Sequence, residues 1–313
     1  MSDRHKISMA IHGGAGTITR QSMTPAQEKA YRSALDVALT IGYDLLTNGA
    51  SALDAVEQAV MGLEDSPLFN AGKGSVFTSE GTHEMDASIM DGSNRQAGAV
   101  SMVKGIKNPI RVARLVMERS GHVFLAGAGA EAFAKSMKCE FRDDQYFFDE
   151  FRYKQWLEVK GTDSTQLDHA ISKDEKFGTV GAVACDQRGN LAAATSTGGM
   201  TNKKFGRVGD SPMIGAGNYA NNFTCAVSCT GSGEFFIRGV VAYDVSCLME
   251  YKGMTLSQAC DEVVHSRLKK IGGDGGLIAV DRQGNLAMPF NTEGMYRGSV
   301  QENGNKMILI YKD

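Results

Sequence analysis

Gly178-Thr179 stands where a polar stretch meets a strand-like run, and two Thr-Gly pairs follow at the ends of short strand-like segments: Thr197-Gly198 in TSTGGM and Thr230-Gly231 in SCTGSGE. Adjacent strands of one sheet would bring the three hydroxyls together. A threonine hydroxyl is a weak nucleophile without a base, and the six histidines are scattered, so His12 and His265 read as structural. Cleavage of the peptide before Thr179 would supply the missing base, because it frees an α-amine with a pKa of about 7.7–8.0. Glycine at 178 tolerates the strained backbone from which the hydroxyl attacks its own preceding carbonyl. One residue then serves as both nucleophile and base.

Other groups suit the same acyl-transfer chemistry. The Thr230 hydroxyl and the Gly231 N–H can form an oxyanion hole, where one donor contributes about 3 kcal/mol to the transition state. Arg207 in GRVGDSP offers a planar fork for a carboxylate, and Asp210, three residues on, can pair with an ammonium. Each fragment alone also fits a bland role, Thr179 as the start of a strand and Arg207/Asp210 as a solvated surface pair. Their joint occurrence carries the chemical reading. No G-x-S-x-G elbow, Walker loop, H-E-x-x-H or zinc-like Cys/His spacing competes with it.

The elements that must position these residues come in blocks. Lys6 to Ile11 alternates like a strand and runs into HGGAG (12–16). A helix then opens with Thr24 as N-cap, Pro25 and Gln27, and Asn48-Gly49 supplies its stop; Ser51 to Leu63 repeats the device. Met85 to Met90 and Ala97 to Val103 read as strands, and Asn108-Pro109 opens a helix through Met117. From about 140 to 178 periodicity fades into a flexible linker. Beyond it, Thr179 to Ala184 and Asn190 to Thr195 flank the turn DQRGN as a hairpin, and LIAVDRQGNLAMP (277–289) repeats the unit. Between them lie a strand from Thr224 to Cys229, one apolar helix from about Gly233 to Tyr251, and a helix capped by Thr255 with Gln258. This order favours layered sheets flanked by helices, an α+β class.

Bulk properties narrow the partner. The 33 basic and 36 acidic residues are interspersed with a net charge of -3, which leaves no basic field for nucleic acid or an anionic membrane. No stretch approaches transmembrane length, and the first residues lack a signal-peptide apolar core. Six irregularly spaced cysteines read as reduced core residues, so a cytoplasmic protein acting on a small molecule is expected. Glycine is in excess, 37 of 313 residues, and clusters at HGGAG, STGGM, TGSGE and GGDGG, which marks these as candidate site loops.

HGGAG, PLFNAGKGSVFT (67–78), HEMDASIMDG (83–92), GTVGAVA (178–184), TSTGGM (195–200), GRVGDSP (206–212) and CTGSGE (229–234) together resemble the plant-type L-asparaginase and isoaspartyl peptidase family of N-terminal nucleophile hydrolases. The resemblance spans nearly the whole chain. It implies a single four-layer αββα sandwich of the N-terminal nucleophile type, self-cleaved into an α chain (1–178) and a β chain (179–313) and assembled as an (αβ)2 heterotetramer. Carried over, it makes Thr179 the nucleophile with Thr197 beside it, and puts Thr230 and Gly231 at the oxyanion hole. Substrate would be held by Arg207, Val208, Gly209, Asp210, Thr230, Gly231, Ser232 and Gly233.

The loop Leu63 to Lys73 matches the family's sodium loop, with ligands expected from Leu63, Glu64, Ser66, Phe69, Ala71 and Lys73 and support from Asn70. No cofactor is implied for the chemistry itself. The implied activity is hydrolysis of β-aspartyl dipeptides and of L-asparagine. The rivals are a glycosylasparaginase-like amidase, a threonine endopeptidase of the taspase type and a silent binding protein on the same scaffold. The first two typically carry aspartate where Gly178 stands, and the third lacks a reason for the complete constellation.

Overall fold

The computed structural model describes residues 5–162 and 178–312. In chain order the strands are β1 (Ser8–Gly16), β2 (Met85–Asp91), β3 (Ala97–Val103), β4 (Phe124–Ala126), β5 (Val180–Cys185), β6 (Leu191–Thr197), β7 (Asn218–Ala220), β8 (Cys225–Gly231), β9 (Gly275–Asp281), β10 (Leu286–Ala287), β11 (Gly294–Gln301) and β12 (Lys306–Tyr311). Among the described residues they form an eight-stranded sheet, β12-β11-β1-β5-β6-β2-β3-β4, and a four-stranded sheet, β10-β9-β8-β7. Among the described residues, β3–β4 is the one parallel pairing between these strands.

Strand alternation decides how the layers stack. In β1, Met9 and Ile11 enter the core beneath the N-terminal helices, while Ala10 and Ala15 enter the core shared with the second sheet. Val180, Ala182 and Ala184 of β5 and Ala192 and Ala194 of β6 take the first side; Val183, Cys185, Leu191 and Ala193 take the second. These strands are buried on both faces, which is why VGAVAC and LAAAT read as continuous small apolar runs. The helices on the first side are α1 (Pro25–Thr47), packed on β1 and β11, α2 (Ala52–Glu64), on β5 and β6, and α3 (Pro109–Arg119), on β2 and β3. The second sheet lies against β1, β5 and β6 through β8 and β9.

The local signals place most boundaries. Thr24 with Gln27, Ser51 with Asp54 and Thr255 with Gln258 each close a capping box. The two hairpin turns share one geometry: the Asp186 carboxylate accepts the N–H groups of Arg188 and Asn190, and Asp281 accepts those of Gln283 and Asn285. The copies sit in facing sheets, with β5 against β9.

Two expectations are corrected. The stretch from about 140 is not loose throughout: α4 (Gly127–Ser136) is followed by α5 (Asp144–Phe147) and α6 (Glu150–Val159). Tyr153 and Trp156 pack on Phe77 at ring distances of 5.8 and 5.7 Å, and Gly81 leaves room for the Trp156 ring. The aromatic residues that hid helical periodicity are the residues that dock these helices. The rest of the expected linker, 163–177, lies outside the described residues.

The single helix expected from Gly233 to Tyr251 is two, α7 (Gly233–Gly239) and α8 (Val241–Lys252), broken at Val240. α8 then covers β7 and β8, and α9 (Leu256–Asp261) covers β9 and β10. Val240 is left-handed, with φ +48 and ψ 45, a conformation that a β-branched residue adopts only at a cost of about 1–2 kcal/mol. Val240→Asn keeps an αL-tolerant residue there and supplies a helix N-cap, so thermal unfolding should shift upward by about 1–3 °C.

Candidate functional site

The parity that splits the cores also aims the polar side chains. Ser196 points to the helices, where its hydroxyl donates to Glu64 at 2.6 Å. Thr195 and Thr197, on the opposite face of β6, point between the sheets. Thr179 stands just before β5 and donates its hydroxyl to Thr197 Oγ1 at 3.1 Å. Thr197 in turn accepts the Gly199 N–H at 3.1 Å. Ser211 Oγ lies 3.4 Å from Thr179 Oγ1, a third hydroxyl at the same point. From the facing sheet comes Thr230, whose buried Oγ1 has no hydrogen-bond partner among the described residues. That oxygen lies 3.3 Å from the position a Cβ would take on Gly178. Thr179, Thr197, Ser211 and Thr230 line one cleft together with Arg207 and Asp210.

HGGAG explains the approach from the other side. The β1–β11 register shifts between His12 and Gly14, a bulge that turns the β1 backbone toward Gly178. Gly14 has φ +120, and a Cβ there would lie 2.5 Å from the Gly178 nitrogen. The motif therefore packs backbone on backbone at the residue before Thr179. His12, which read as structural, is fully buried below this point and contacts the Thr179 carbonyl through Nδ1 at 2.9 Å. Sequence reasoning missed both His12 and Ser211. For His12 the one legible signal was a polar residue within an otherwise apolar strand, and Ser211 lies in the GRVGDSP turn with no such signal.

Arg207 and Asp210, expected to read a carboxylate and an ammonium, are arranged differently from a surface pair. Arg207 donates Nε and Nη2 to Glu234 at 2.8 and 2.9 Å, and Asp210 is buried beside it rather than paired with it. The side-on pairing with Glu234 leaves the outer edge of the guanidinium, Nη1 and Nη2, directed elsewhere. A Cβ on Gly233 would lie 2.9 Å from Asp210 Oδ1 and 3.0 Å from Arg207 Nη2, so this glycine keeps the space between them open. Gly209 and Gly231 line the cleft, whereas Val208 is half-buried outside its lining and Ser232 is tied to Asp274 through its hydroxyl and its N–H.

The loop from Leu63 to Lys73 reaches the site through two residues. Asn70 donates to the Gly199 carbonyl at 2.7 Å, accepts the Val76 N–H at 3.1 Å, and takes the Gly198 N–H on its own carbonyl at 3.0 Å. Phe69 lies where any side chain on Gly13 would collide. Inside the loop, Gly72 and Gly74 make room for backbone oxygens: a Cβ would lie 2.4 Å from the Glu64 carbonyl at Gly72, and 2.1 Å from that of Phe69 at Gly74. The Glu64 side chain faces away, to Ser196 and to the Ile110 N–H at 3.0 Å, and burial pushes its carboxyl up to about 8. Ser66 Oγ accepts the Leu68 N–H, the Ala71 carbonyl accepts the Gly74 N–H, and the Lys73 ammonium lies over the Tyr146 ring. No group of three or more His, Cys, Asp or Glu side chains that could hold a metal ion occurs among the described residues.

A family model described as asparaginase, Asparaginase_2, matches residues 5–310. The chain belongs to that family. An isoaspartyl peptidase of Escherichia coli (strain K12) is 54% identical over 311 residues, which are 98% of this chain and 97% of the relative. One from Salmonella typhimurium is also 54% identical, over 99% of this chain and 100% of its own. An isoaspartyl peptidase/L-asparaginase of Homo sapiens is 44% identical over 92% and 91% of the two chains.

In this asparaginase-family site Asp210 is a carboxyl buried at a cost. Burial pushes its carboxyl up to about 7, the Arg207 guanidinium offsets only part of that, and Oδ2 has no hydrogen-bond partner among the described residues. A raised folded-state pKa means that the folded chain binds the proton more tightly than the unfolded one. The penalty is therefore absent below the usual carboxylate value near 4 and grows as pH rises to about 7. Asp210→Asn keeps the shape without the charge. It should raise the melting temperature by several degrees at pH 8, equivalent to about 2–4 kcal/mol, and by little at pH 4, as differential scanning calorimetry at the two pH values can check.

Proposed function

We propose that the protein hydrolyses β-aspartyl dipeptides and L-asparagine with an N-terminal threonine that it generates by cutting its own chain before Thr179. The observation that carries this reading is the juxtaposition of the Thr179 hydroxyl, 3.1 Å from Thr197 Oγ1, with a Thr230 hydroxyl that faces Gly178 and has no hydrogen-bond partner among the described residues. In the first step Thr179 Oγ attacks the Gly178 carbonyl, and the C–N bond breaks to leave an ester. Water hydrolyses the ester, and the products are the Gly178 carboxylate and a free Thr179 amine. Gly178 lines the cleft, so its departure opens the place that a substrate acyl group takes.

In the mature site the amine accepts the proton of Thr179 Oγ, which attacks the substrate's side-chain carbonyl. The Thr230 hydroxyl and Gly231 N–H receive the oxyanion, and the leaving amine departs with the proton. Water then hydrolyses the β-aspartyl ester and releases aspartate. Thr197 holds the nucleophile through its hydroxyl. The free edge of Arg207 takes the substrate α-carboxylate, and Asp210 takes its α-ammonium across the opening that Gly233 leaves. The layer order of helices, two sheets and helices supports the αββα sandwich of N-terminal nucleophile hydrolases.

The carbonyl-lined loop suits a structural Na+ held by Leu63, Glu64, Ser66, Phe69, Ala71 and Lys73, whose role is to brace Asn70 and Phe69 against the site. An (αβ)2 assembly of two cleaved protomers fits the same family reading. Six unpaired cysteines accord with a reducing, cytoplasmic setting.

Two experiments test this function. Residues 179–313 are 135 of 313, so denaturing electrophoresis should show fragments of roughly 14–15 and 19 kDa for the wild type and one full-length band for Thr179→Ala. An isoaspartyl peptide presents both charged groups on its α-carbon, whereas an α-aspartyl peptide has its carboxylate tied up in the amide. Matured enzyme should therefore cleave β-Asp-Leu and spare α-Asp-Leu. Arg207→Ala should lower kcat/KM for β-Asp-Leu at least about 30-fold, and comparable turnover of the two peptides would place the pocket elsewhere.

A further inference from the structure

A run of buried polar groups lies beneath Thr179, and their chemistry gives it a direction. The Thr179 carbonyl oxygen can only accept, so the 2.9 Å contact requires a proton on His12 Nδ1. Burial holds this imidazole neutral, lowering its pKa to about 3, so Nε2 carries no proton and must accept from Ser228 Oγ at 2.8 Å. Ser228, having given its proton to His12, accepts from Thr195 Oγ1 at 2.7 Å, and Thr195 accepts from the Asn218 amide at 3.1 Å. All four side chains are completely buried and come from four strands in two sheets. Gly181, opposite His12 in the β1–β5 register, makes the contact possible: a Cβ there would lie 2.0 Å from Ser228 Oγ and 2.4 Å from His12 Nε2.

We propose that His12 is a positioning residue for Thr179, its tautomer fixed by the Thr179 carbonyl and matched by the Ser228 hydroxyl, holding the nucleophile's carbonyl once the peptide bond to Gly178 no longer holds the other end. The inference rests on the reading of Thr179 as a nucleophile freed by cleavage. Thr179 precedes the first paired residue of β5, Val180. After the chain breaks, its amine end is untethered, and the plane of its carbonyl becomes the platform from which both the amine and the hydroxyl project. β1 then acts twice, with Gly14 against Gly178 before cleavage and His12 under Thr179 before and after it. A misplacement of about 1 Å at such a centre costs on the order of 100-fold in rate.

The test exploits the two amides that imitate the two imidazole nitrogens. In His12→Asn the side-chain nitrogen falls near the place of Nδ1; in His12→Gln it falls near that of Nε2. With β-Asp-Leu, matured His12→Asn should keep kcat within about 5-fold of wild type, whereas His12→Gln should lose at least about 20-fold in kcat with KM little changed. Cleavage in the Asn variant but not in the Gln variant is the same result read one step earlier. Equal kcat values, or a loss confined to KM, overturn the proposal.

If neither variant matures, nitrogen-15 NMR of histidines in the uncleaved Thr179→Ala chain decides instead. The expected signature is one imidazole protonated on Nδ1 that does not titrate between about pH 5 and 9. A proton on Nε2 rejects the assignment. A wild-type chain that stays full length, by contrast, removes the nucleophile reading itself, whatever His12 does.

Discussion

Where Gly14 lies against Gly178, two backbones approach more closely than any side chain permits. A Cβ on either residue would come within 2.7 Å of the other's backbone. The rest of the site is arranged around that contact. The β1 bulge after His12 turns the strand toward Gly178, Gly13 is bare because the Phe69 ring occupies its side-chain space, and Gly181 is bare so that His12 can reach Ser228. These glycines serve approach distance: they bring the β1 backbone, the start of β5 and the face of β8 together around one peptide bond.

A second constraint is electrostatic. The chain buries groups that an ordinary core would exclude: the Thr230 hydroxyl, the outer oxygen of Asp210 and, on the helix side of the large sheet, the free oxygen of Glu64, none with a hydrogen-bond partner among the described residues. A buried polar group left unpaired costs about 1–3 kcal/mol, and a carboxylate more. Such costs persist where a ligand is meant to supply the missing partner. Asp210 and Thr230 face the cleft and fit that account. Glu64 does not, since it turns to Ser196 and the first turn of α3 and keeps its carboxyl close to neutral.

The Leu63–Lys73 loop links the helical layer to the chemistry. It follows directly from α2, whose last residue, Glu64, is bonded to β6, and it returns to β6 through Asn70 at the Gly198–Gly199 turn. Thr197 is therefore supported from both of its neighbours, Ser196 on the helix side and Gly198 at the turn. Shifts in the loop would be felt at the hydroxyl that contacts Thr179 without any direct bond between them.

Much of this was readable without coordinates, because it depends on local chemistry. Capping boxes at Thr24, Ser51 and Thr255, the aspartate-led turns at Asp186 and Asp281, and apolar strands buried on both faces are properties of short segments, and short segments carry their own signals. The candidate residues Thr179, Thr197 and Thr230 stood out together as hydroxyls beside glycines near strand ends, and Arg207 and Asp210 by their place between the Thr197 and Thr230 motifs.

Long-range geometry was not legible. Phe147, Tyr153 and Trp156 obscured α5 and α6 because their spacing serves a docking surface on Phe77 and His83, not a helical stripe. The helix break at Val240 has one local signal, Gly239 just before it, and the apolar run Val240 to Ala242 that follows reads as a continued helix. His12 looked like a lone core histidine, and only strand pairing places it under Thr179, 167 positions away in the chain. The sequence alone determined which groups could react. The tertiary structure decided which of them meet, because strand register and bulges convert residues distant in sequence into neighbours about 3 Å apart.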